Sequence, residues 1–428
     1  RPMSIALFKF FYYIKTFPVD YATWLTNPFF FINIINMANQ KGQNQSSARN
    51  ANLALIMERF ERQSMSRADI SRIFHLSKPA ASKITAELES LGLIRVSPNE
   101  ITYNQPGVRP VYYEINPDLG IIAVIDLSTV EVKINICDFS GAILSQNVIF
   151  DMEVIEYKDF MRFRDCLKKV LSSKPLKDKK LLSICVAMPC QVNKITGKVL
   201  WSPRFNIHDD FDVYDFFTHE FTVKTIIRND VQLYLYAEQE MGLITQDVKY
   251  ALLVYVDAGI GGSFYFDSKI ESGEDGTAGD IGFYNVEDEG RFITLDSAAS
   301  INAIMQKLKR RISSGEACSL SPSNIHFKDI LNAYKSGDKL VKEVVNNSAK
   351  VLANALVNFI NIFNINCIVI NGRIKHLGKE YLEIIKNIVC GTFPRVTVDF
   401  SKIESAACEG AYIVSRIEII KDIIKSRK

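Results

Sequence analysis

Cysteine is sparse and scattered in this 428-residue chain: there are eight, none lies before Cys137, and none is spaced as C-x-x-C. That excludes a disulfide scaffold and the common cysteine zinc modules, and it fits a reducing, cytoplasmic setting. An excess of either charge is also missing. Lys and Arg total 51 against 48 Asp and Glu, a net of +3, so any contact with a polyanion must come from a local patch. No run of about 18 uncharged apolar residues occurs, which excludes an ordinary spanning helix, and no membrane partner is expected. The five histidines (His75, His208, His219, His326 and His376) are too dispersed for a metal cluster. What remains is 47% apolar and 23% charged, the balance of a folded chain. At roughly 150 residues per domain, the length calls for two or three domains.

Residues 1–36 differ from the rest. Eleven aromatics between Phe8 and Phe31 follow no helical or strand period and are interrupted by Pro18 and Pro28. Lys9 and Lys15 fall inside the apolar stretch and no small-residue cleavage site follows, unlike a signal peptide. A membrane-surface anchor is one reading. The preferred one is a start placed too early, because Met37 heads an ordinary polar leader, Ala38-Asn39-Gln40-Lys41. Residues 1–45 are therefore left unassigned, and residues 1–36 are expected to be non-native.

From residue 46 to 116 the pattern is that of a winged helix-turn-helix. Leu53, Leu55, Ile56 and Phe60 mark a first amphipathic helix. Ser66-Arg67-Ala68-Asp69 has the spacing of a capping box for a second. Ser77 caps a third, with Pro79 tolerated in its first turn, Ala81, Ile84, Leu88 and Leu91 on its buried face, and Gly92 ending it. Residues 93–96 and 111–115 read as a strand pair whose tip carries Gly107, Arg109 and Pro110. A recognition helix reads base edges with its N-terminal residues. Lys78, Ser82, Lys83 and Thr85 are thus the expected DNA-contacting residues, with Arg109 at the wing tip for a narrow minor groove. Residues 46–110 hold nine basic and six acidic side chains, a small excess that a homodimer would double.

Beyond residue 117 strands and helices alternate, giving an α/β body. Residues 121–126, 132–138 and 143–150 read as an antiparallel meander, followed by a helix over 160–171, a buried strand over 181–188, another over 224–228 and a helix over 231–241. The same succession restarts at 251–257, 262–266 and 269–271, with a long helix over 349–363 and a last buried strand over 367–371. Two similar lobes follow, 117–245 and 246–428, with the C-terminal helix returning to the first. The order resembles the actin-like ATPase fold. Pro189 and Gly197, Asn229-Asp230, Gly259-Ile260-Gly261-Gly262 and the run from Gly276 to Gly282 resemble the ROK family of repressors and sugar kinases. With the winged helix in front, residues 46–420 resemble a ROK transcriptional regulator.

The resemblance also exposes losses. The family's first phosphate loop, Asp-x-Gly-Gly-Thr, stands here as Asp126-Leu127-Ser128-Thr129-Val130. The second, Gly-Thr-Gly-Ile-Gly, stands as Asp257-Ala258-Gly259-Ile260-Gly261. A carboxylate about 4 Å from a phosphate charge costs about 4 kcal/mol at an effective dielectric near 20. ATP chemistry is therefore not expected, no catalytic residue is assigned, and no cofactor is called for. The family's Gly-Glu-Ile-Gly-His appears as Gly279-Asp280-Ile281-Gly282-Phe283, and its zinc-binding cysteine run appears as Gly290 to Asp296 without a cysteine. No metal site is expected. The positions that the resemblance assigns to a sugar are Asn229, Asp230, Asp280 and Asp296. It implies a repressor that binds a double-stranded DNA operator as a homodimer or higher oligomer and senses a small polar effector, a sugar first of all. A sugar kinase, and a regulator controlled by a partner protein, are the alternatives.

Overall fold

The computed structural model describes residues 45–98, 110–152, 154–193, 199–201, 205–206, 212–245, 247–267, 269–274 and 276–426. The chain divides into a smaller unit, Arg1–Glu114 with Lys421–Lys428, and a larger one, Ile115–Ile420.

The smaller unit is built from α1 (Gln45–Phe60), β1 (Met65–Ser66), α2 (Arg67–Ile73), α3 (Lys78–Ser90), β2 (Ile94–Val96) and β3 (Tyr112–Ile115), with the strands in the order β1-β3-β2. Its core is Leu53, Ile56, Met57, Phe60, Met65, Ile70, Ala81, Leu88 and Leu93. The stripe of α1 thus runs through Met57, and Leu55 is 46% exposed instead of buried. The first strand is too short to show in a sequence. It forms because Met65 and Ser66 pair with Tyr113 and Tyr112. The capping box is present in both directions: Ser66 Oγ accepts from Asp69 N, and Asp69 Oδ2 accepts from Ser66 N at 3.0 Å. Ser77 Oγ likewise accepts from Ala80 N and starts α3. The two bonds fix where α2 and α3 begin and hence the turn between them.

The larger unit carries two five-stranded sheets. The first contains β4 (Ile121–Asp126), β5 (Glu131–Asp138), β6 (Ile143–Asp151), β7 (Leu181–Met188) and β8 (Lys224–Asn229), in the order β8-β7-β4-β5-β6. Its helices are α4 (Tyr157–Leu171), α5 (Val213–Phe221) and α6 (Asp230–Met241). The second sheet contains β9 (Tyr250–Val256), β10 (Ile260–Phe266) and β11 (Lys269–Glu271). A hairpin follows, β12 (Asn285–Asp288) with β13 (Arg291–Thr294), then α7 (Leu295–Ala299), α8 (Ile301–Ser313), α9 (Phe327–Lys335) and α10 (Lys339–Phe363). The sheet is completed by β14 (Cys367–Asn371) and, after α11 (Lys379–Thr392), by β15 (Thr397–Phe400), in the order β11-β10-β9-β14-β15. The chain closes with α12 (Ala406–Ser426).

Both sheets share one plan: an antiparallel three-strand meander, then two strands added in parallel on its inner edge. The inner parallel strands β7 and β14 are apolar apart from Ser183 and Asn371, as strands covered on both faces are. The strand β15 lies beyond the run 367–371 that reads as the last one. Its Thr397 and Asp399 break the apolar run, so only its pairing with β14 reveals it. In the first sheet Phe160, Phe163 and Leu167 of α4 pack on Val132, Ile134 and Ile136. In the second, α10 buries Val345, Leu352, Leu356 and Phe359 against Leu252, Val254 and Ile368.

Two helices tie the sheets together. α6 follows the first sheet, yet its Tyr234 ring lies 4.9 Å from that of Tyr255 on β9. α12 follows the second sheet and packs on the first: Tyr412 Oη donates to Phe139 O at 3.0 Å, and Lys224 pairs with Glu418 at 3.2 Å. A side chain at Gly410 of α12 would strike the Leu233 carbonyl of α6. The glycine therefore serves the close approach of the two helices.

Candidate DNA-reading helix and interlobe cleft

On the first two turns of α3 the exposed positions are Lys78, Pro79 and Lys83, with Ser82 half-buried beside them, and further along Ala86, Glu89 and Ser90 are exposed too. The first two turns thus offer two ammonium groups and a hydroxyl to an outside partner. Thr85 does not belong with them. It is fully buried, and its Oγ1 donates to Ala81 O at 2.8 Å. The reason was in the spacing: residues four apart share a helix face, and Ala81 is a core residue. Arg109 lies outside the described residues. Two other basic groups are held by the fold. Arg67 donates to Tyr113 Oη at 2.7 Å with its guanidinium over that ring, and Arg49 is paired with Glu87.

The cleft of the larger unit forms where the glycine-rich turns of the second sheet meet the ends of β7 and β8. Gly262 N donates to Gly279 O at 2.7 Å, an approach that any side chain at Gly279 would block, since its Cβ would lie 2.1 Å from Gly262 O. Gly276 and Gly279 both have positive φ, +101° and +111°, a conformation that glycine takes at little cost. The recess encloses about 300 Å³, part of it open solvent, and is lined by Gln191, Asn229, Gln232, Thr277 and Asp280 together with the glycine backbone.

Of the four expected ligand residues, two line this recess and two do not. Asn229 caps α6 by accepting from Gln232 N at 3.1 Å, and its amide donates to Cys190 O at 2.9 Å. Asp280 accepts from the Gln191 amide, a bond that joins the two lobes across the recess. Asp230 sits behind it, 3% exposed, with Val231 N donating to its Oδ1 at 2.9 Å. Asp296 lies below the glycine turn, where its Oδ1 accepts from Ile260 N at 2.6 Å. Burial raises the Asp296 carboxyl above its ordinary range, and that hydrogen bond opposes the rise. Gln191 and Gln232 carry no sequence signal of their own, and Thr277 is marked only by its place in the glycine-rich run. Phe283 is 62% exposed and is not among the residues lining the recess.

Both turns that resemble phosphate loops are filled by the chain's own bonds. Asp126 Oδ1 accepts from Ser128 N at 2.9 Å and from Ser128 Oγ at 2.5 Å. Asp257 accepts from Ala258 N at 2.7 Å and from Arg373 Nε at 2.8 Å and 2.9 Å on its two oxygens. The Asp257 carboxylate raises the Arg373 guanidinium further above its usual range. Between the turns stand Tyr234 and Tyr255, whose hydroxyls burial pushes well above the phenol range.

Among the described residues, no group of three or more His, Cys, Asp or Glu side chains is placed to hold a metal ion. The hairpin β12–β13, in the region of the family's zinc run, is anchored instead by a buried ion pair. Lys307 Nζ lies 2.5 Å from Asp288 Oδ2 and donates to Ala298 O at 2.8 Å, while Asn347 donates to Asp288 Oδ1 at 2.9 Å. No helix among the described residues is long and apolar enough to cross a membrane.

A family model described as the ROK family matches residues 123–414. The chain belongs to the ROK family. It is 25% identical over 362 residues to the xylose repressor of Caldicellulosiruptor bescii, covering 80% of this chain and 89% of that one. The crystal structure of a ROK family transcriptional regulator, a homologue of the Escherichia coli MLC protein, superposes with a TM-score of 0.74 at 22% identity. It covers 89% of this chain and 98% of its own. A ROK family glucokinase from Streptomyces griseus, solved with glucose and AMPPNP, superposes with a TM-score of 0.55 at 16% identity, covering 69% of this chain. The likeness to the regulator thus extends over a larger share of this ROK chain than the likeness to the kinase.

Proposed function

We propose that this ROK protein is a cytoplasmic transcriptional repressor, not a kinase, that binds its operator as a homodimer and senses a monosaccharide between its lobes. The observation that carries the reading is the free face of α3. Lys78, Ser82 and Lys83 stand exposed or half-exposed on its first two turns while Ala81, Thr85 and Leu88 anchor it. That is the disposition a recognition helix needs to enter a major groove. A dimer would present two such helices to a palindromic site. The winged helix is assigned to residues 46–116 and the lobes to 117–245 and 246–428, with α12 completing the first.

The non-catalytic reading rests on Asp257 and Arg373. The carboxylate occupies the turn where the family resemblance puts phosphate, and the guanidinium holds it there. A phosphate entering that turn would meet like charge. The recess beside it offers amides, a carboxylate and a hydroxyl (Gln191, Asn229, Gln232, Asp280, Thr277), the mixed donor and acceptor set that buried sugar hydroxyls require. The name of the C. bescii relative makes xylose the first sugar to try. A ligand that fits only one lobe arrangement would shift that equilibrium and, through it, DNA affinity.

The test is a titration of the full chain on DNA tiled across its own gene neighbourhood, at two salt concentrations, with and without xylose. Saturable binding to one tile against weak, salt-sensitive binding elsewhere is expected. Lys83→Ala should weaken binding to all sequences about equally and lower the salt slope by about 1. Uniform binding to every tile, or none, would overturn the operator reading. ATP-dependent phosphorylation of any monosaccharide would overturn the non-kinase reading.

A further inference from the structure

The positive charge of the chain is concentrated in one stretch of the first lobe, which contributes neither to α3 nor to the interlobe recess. Residues 168–180 hold six lysines, Lys168, Lys169, Lys174, Lys177, Lys179 and Lys180, against one acid, Asp178, a net of +5. The whole chain nets +3, so the other 415 residues net −2. A net charge near zero thus hides a strongly basic patch.

The fold displays these lysines on a fixed support. Lys168 and Lys169 stand on the last turn of α4, where cations suit the helix end. The chain then turns tightly. Ser173 N donates to Val170 O at 3.1 Å, Lys177 N to Ser173 O at 2.9 Å, and Lys179 N to Leu176 O at 2.9 Å. Leu176, 1% exposed, anchors these turns in the core of the first sheet. Lys180 leads into β7, and its carbonyl accepts from Ile121 N at 2.8 Å. All six lysines are exposed. Lys168 is paired with Glu220 at 2.6 Å. Among the described residues the other five have no ion-pair partner. Unpaired ammonium groups held close together repel one another, and a polyanion relieves that repulsion.

Composition selects the partner. Protein interfaces are poor in lysine and rich in arginine and aromatic residues, and residues 168–180 contain neither of the latter. They also expose no large apolar side chain to enter a lipid interface, since Leu176 is buried and Val170 and Leu171 are half-buried. Reading bases by stacking or by forked hydrogen bonds needs aromatic rings or guanidinium groups. What remains is a row of point charges suited to successive phosphates of a nucleic-acid backbone, a contact that carries no sequence information. We propose that residues 168–180 form a second DNA contact, in which ammonium groups of the first lobe pair with backbone phosphates of duplex DNA. The patch adds affinity for any duplex and leaves the choice of operator to α3. Each neutralised phosphate releases a counterion, so the contact is read in the salt dependence of binding.

The experiment measures binding of the full chain to a duplex of scrambled sequence, and to its preferred tile, across salt from about 50 to about 200 mM. The test variant combines Lys169→Gln, Lys174→Gln, Lys177→Gln and Lys179→Gln, all at exposed positions, so its melting temperature should not fall. A control of equal net charge combines Lys335→Gln, Lys339→Gln, Lys350→Gln and Lys379→Gln, four exposed lysines of the second lobe. The test variant should lose at least about tenfold in affinity for the scrambled duplex at the lower salt. Its salt slope should shrink by about 2 or more, at about 0.9 per phosphate contact. The ratio of preferred-tile to scrambled affinity should stay as in the parent, and the control should bind within about twofold of the parent. The proposal is overturned if the parent does not bind the scrambled duplex at the lower salt, if the test variant binds it as the parent does, or if the control loses as much. Loss of binding to phosphatidylserine vesicles with DNA binding intact would overturn it in favour of a membrane surface. Patch-dependent binding without any preferred tile would remove the operator reading and leave the patch, and a preferred tile bound equally by the test variant would remove the patch alone.

Discussion

The two meander turns of the larger unit, Asp126–Val130 and Asp257–Gly261, occupy equivalent places in sheets of the same plan, yet they are closed in different ways. In the first sheet the carboxylate folds back on its own turn and accepts from the N–H and the hydroxyl of Ser128, two residues away. In the second it reaches Arg373, which is 116 residues further along the chain. A second long-range pair, Lys307 with Asp288, holds the hairpin that follows. The first turn is thus secured by local bonds and the second lobe by charge pairs that exist only in the folded chain. Where the family resemblance implies glycine backbone around phosphate, both positions here are filled by side chains. That difference is set by a few residues, not by the topology.

This contrast can be broken at several points. The largest effect is expected at Lys307→Met. It strands the Asp288 carboxylate, which is 5% exposed, with only Asn347 beside it. Removing one partner of a buried pair costs about 3–5 kcal/mol, so chemical denaturation should show the second lobe losing stability by that amount. A loss under about 1 kcal/mol would mean that the pair is solvated.

A smaller difference should separate the two turns themselves. Arg373→Ala removes charged hydrogen bonds, but the guanidinium is about half exposed, so the loss is expected at about 1–2 kcal/mol. Ser128→Ala removes one hydroxyl bond in the first turn while leaving the Ser128 N–H in place, for about 0.5–1.5 kcal/mol. Arg373→Ala should also expose Asp257 and leave phosphate binding undetectable, whereas a gain of phosphate binding would show that the carboxylate is not the barrier.

The smallest effect concerns pH. The Asp296 carboxyl is raised by burial above its ordinary value of 3.8. The folded chain therefore holds its proton over a range where the unfolded chain has lost it, and stability falls as pH rises through that window. Asp296→Asn keeps an acceptor for Ile260 N and should flatten this part of the stability–pH profile. An unchanged slope would show that Asp296 is solvated in the folded state.

Much of the fold is legible in the chain because its signals are local. The capping box at Ser66 and Asp69, the cap at Ser77, the glycine at Gly92 and the apolar runs of the parallel strands each depend on neighbours within a few residues. The structure departs from the local pattern where that pattern is ambiguous or absent. Thr85 has the polarity of a DNA-facing residue, but its distance of four from Ala81 puts both on one side of α3. Leu55 fits the apolar stripe of α1 by type, but Met57 fills the core and Leu55 is exposed. The strand β15 is too polar to stand out. In the site, Asn229 and Asp280 follow from the motif resemblance, while Gln191 and Gln232 do not, because an isolated glutamine has no periodicity or chemistry that marks it.

What the sequence by itself determined is the alternation of strands and helices, the starts of α2 and α3, the family and the loss of the glycines and cysteines that phosphate and zinc would need. Those are properties of composition and short spacing, where each residue acts on its neighbours. What only the tertiary structure decided is which groups meet: Asp257 with Arg373, Lys307 with Asp288, and Gln191 with Asp280. Each pair is far apart in the chain, and ordering it costs conformational entropy that no local signal records. The contacts form because sheet pairing and helix packing bring the groups together, and their chemistry then decides what each lobe can bind.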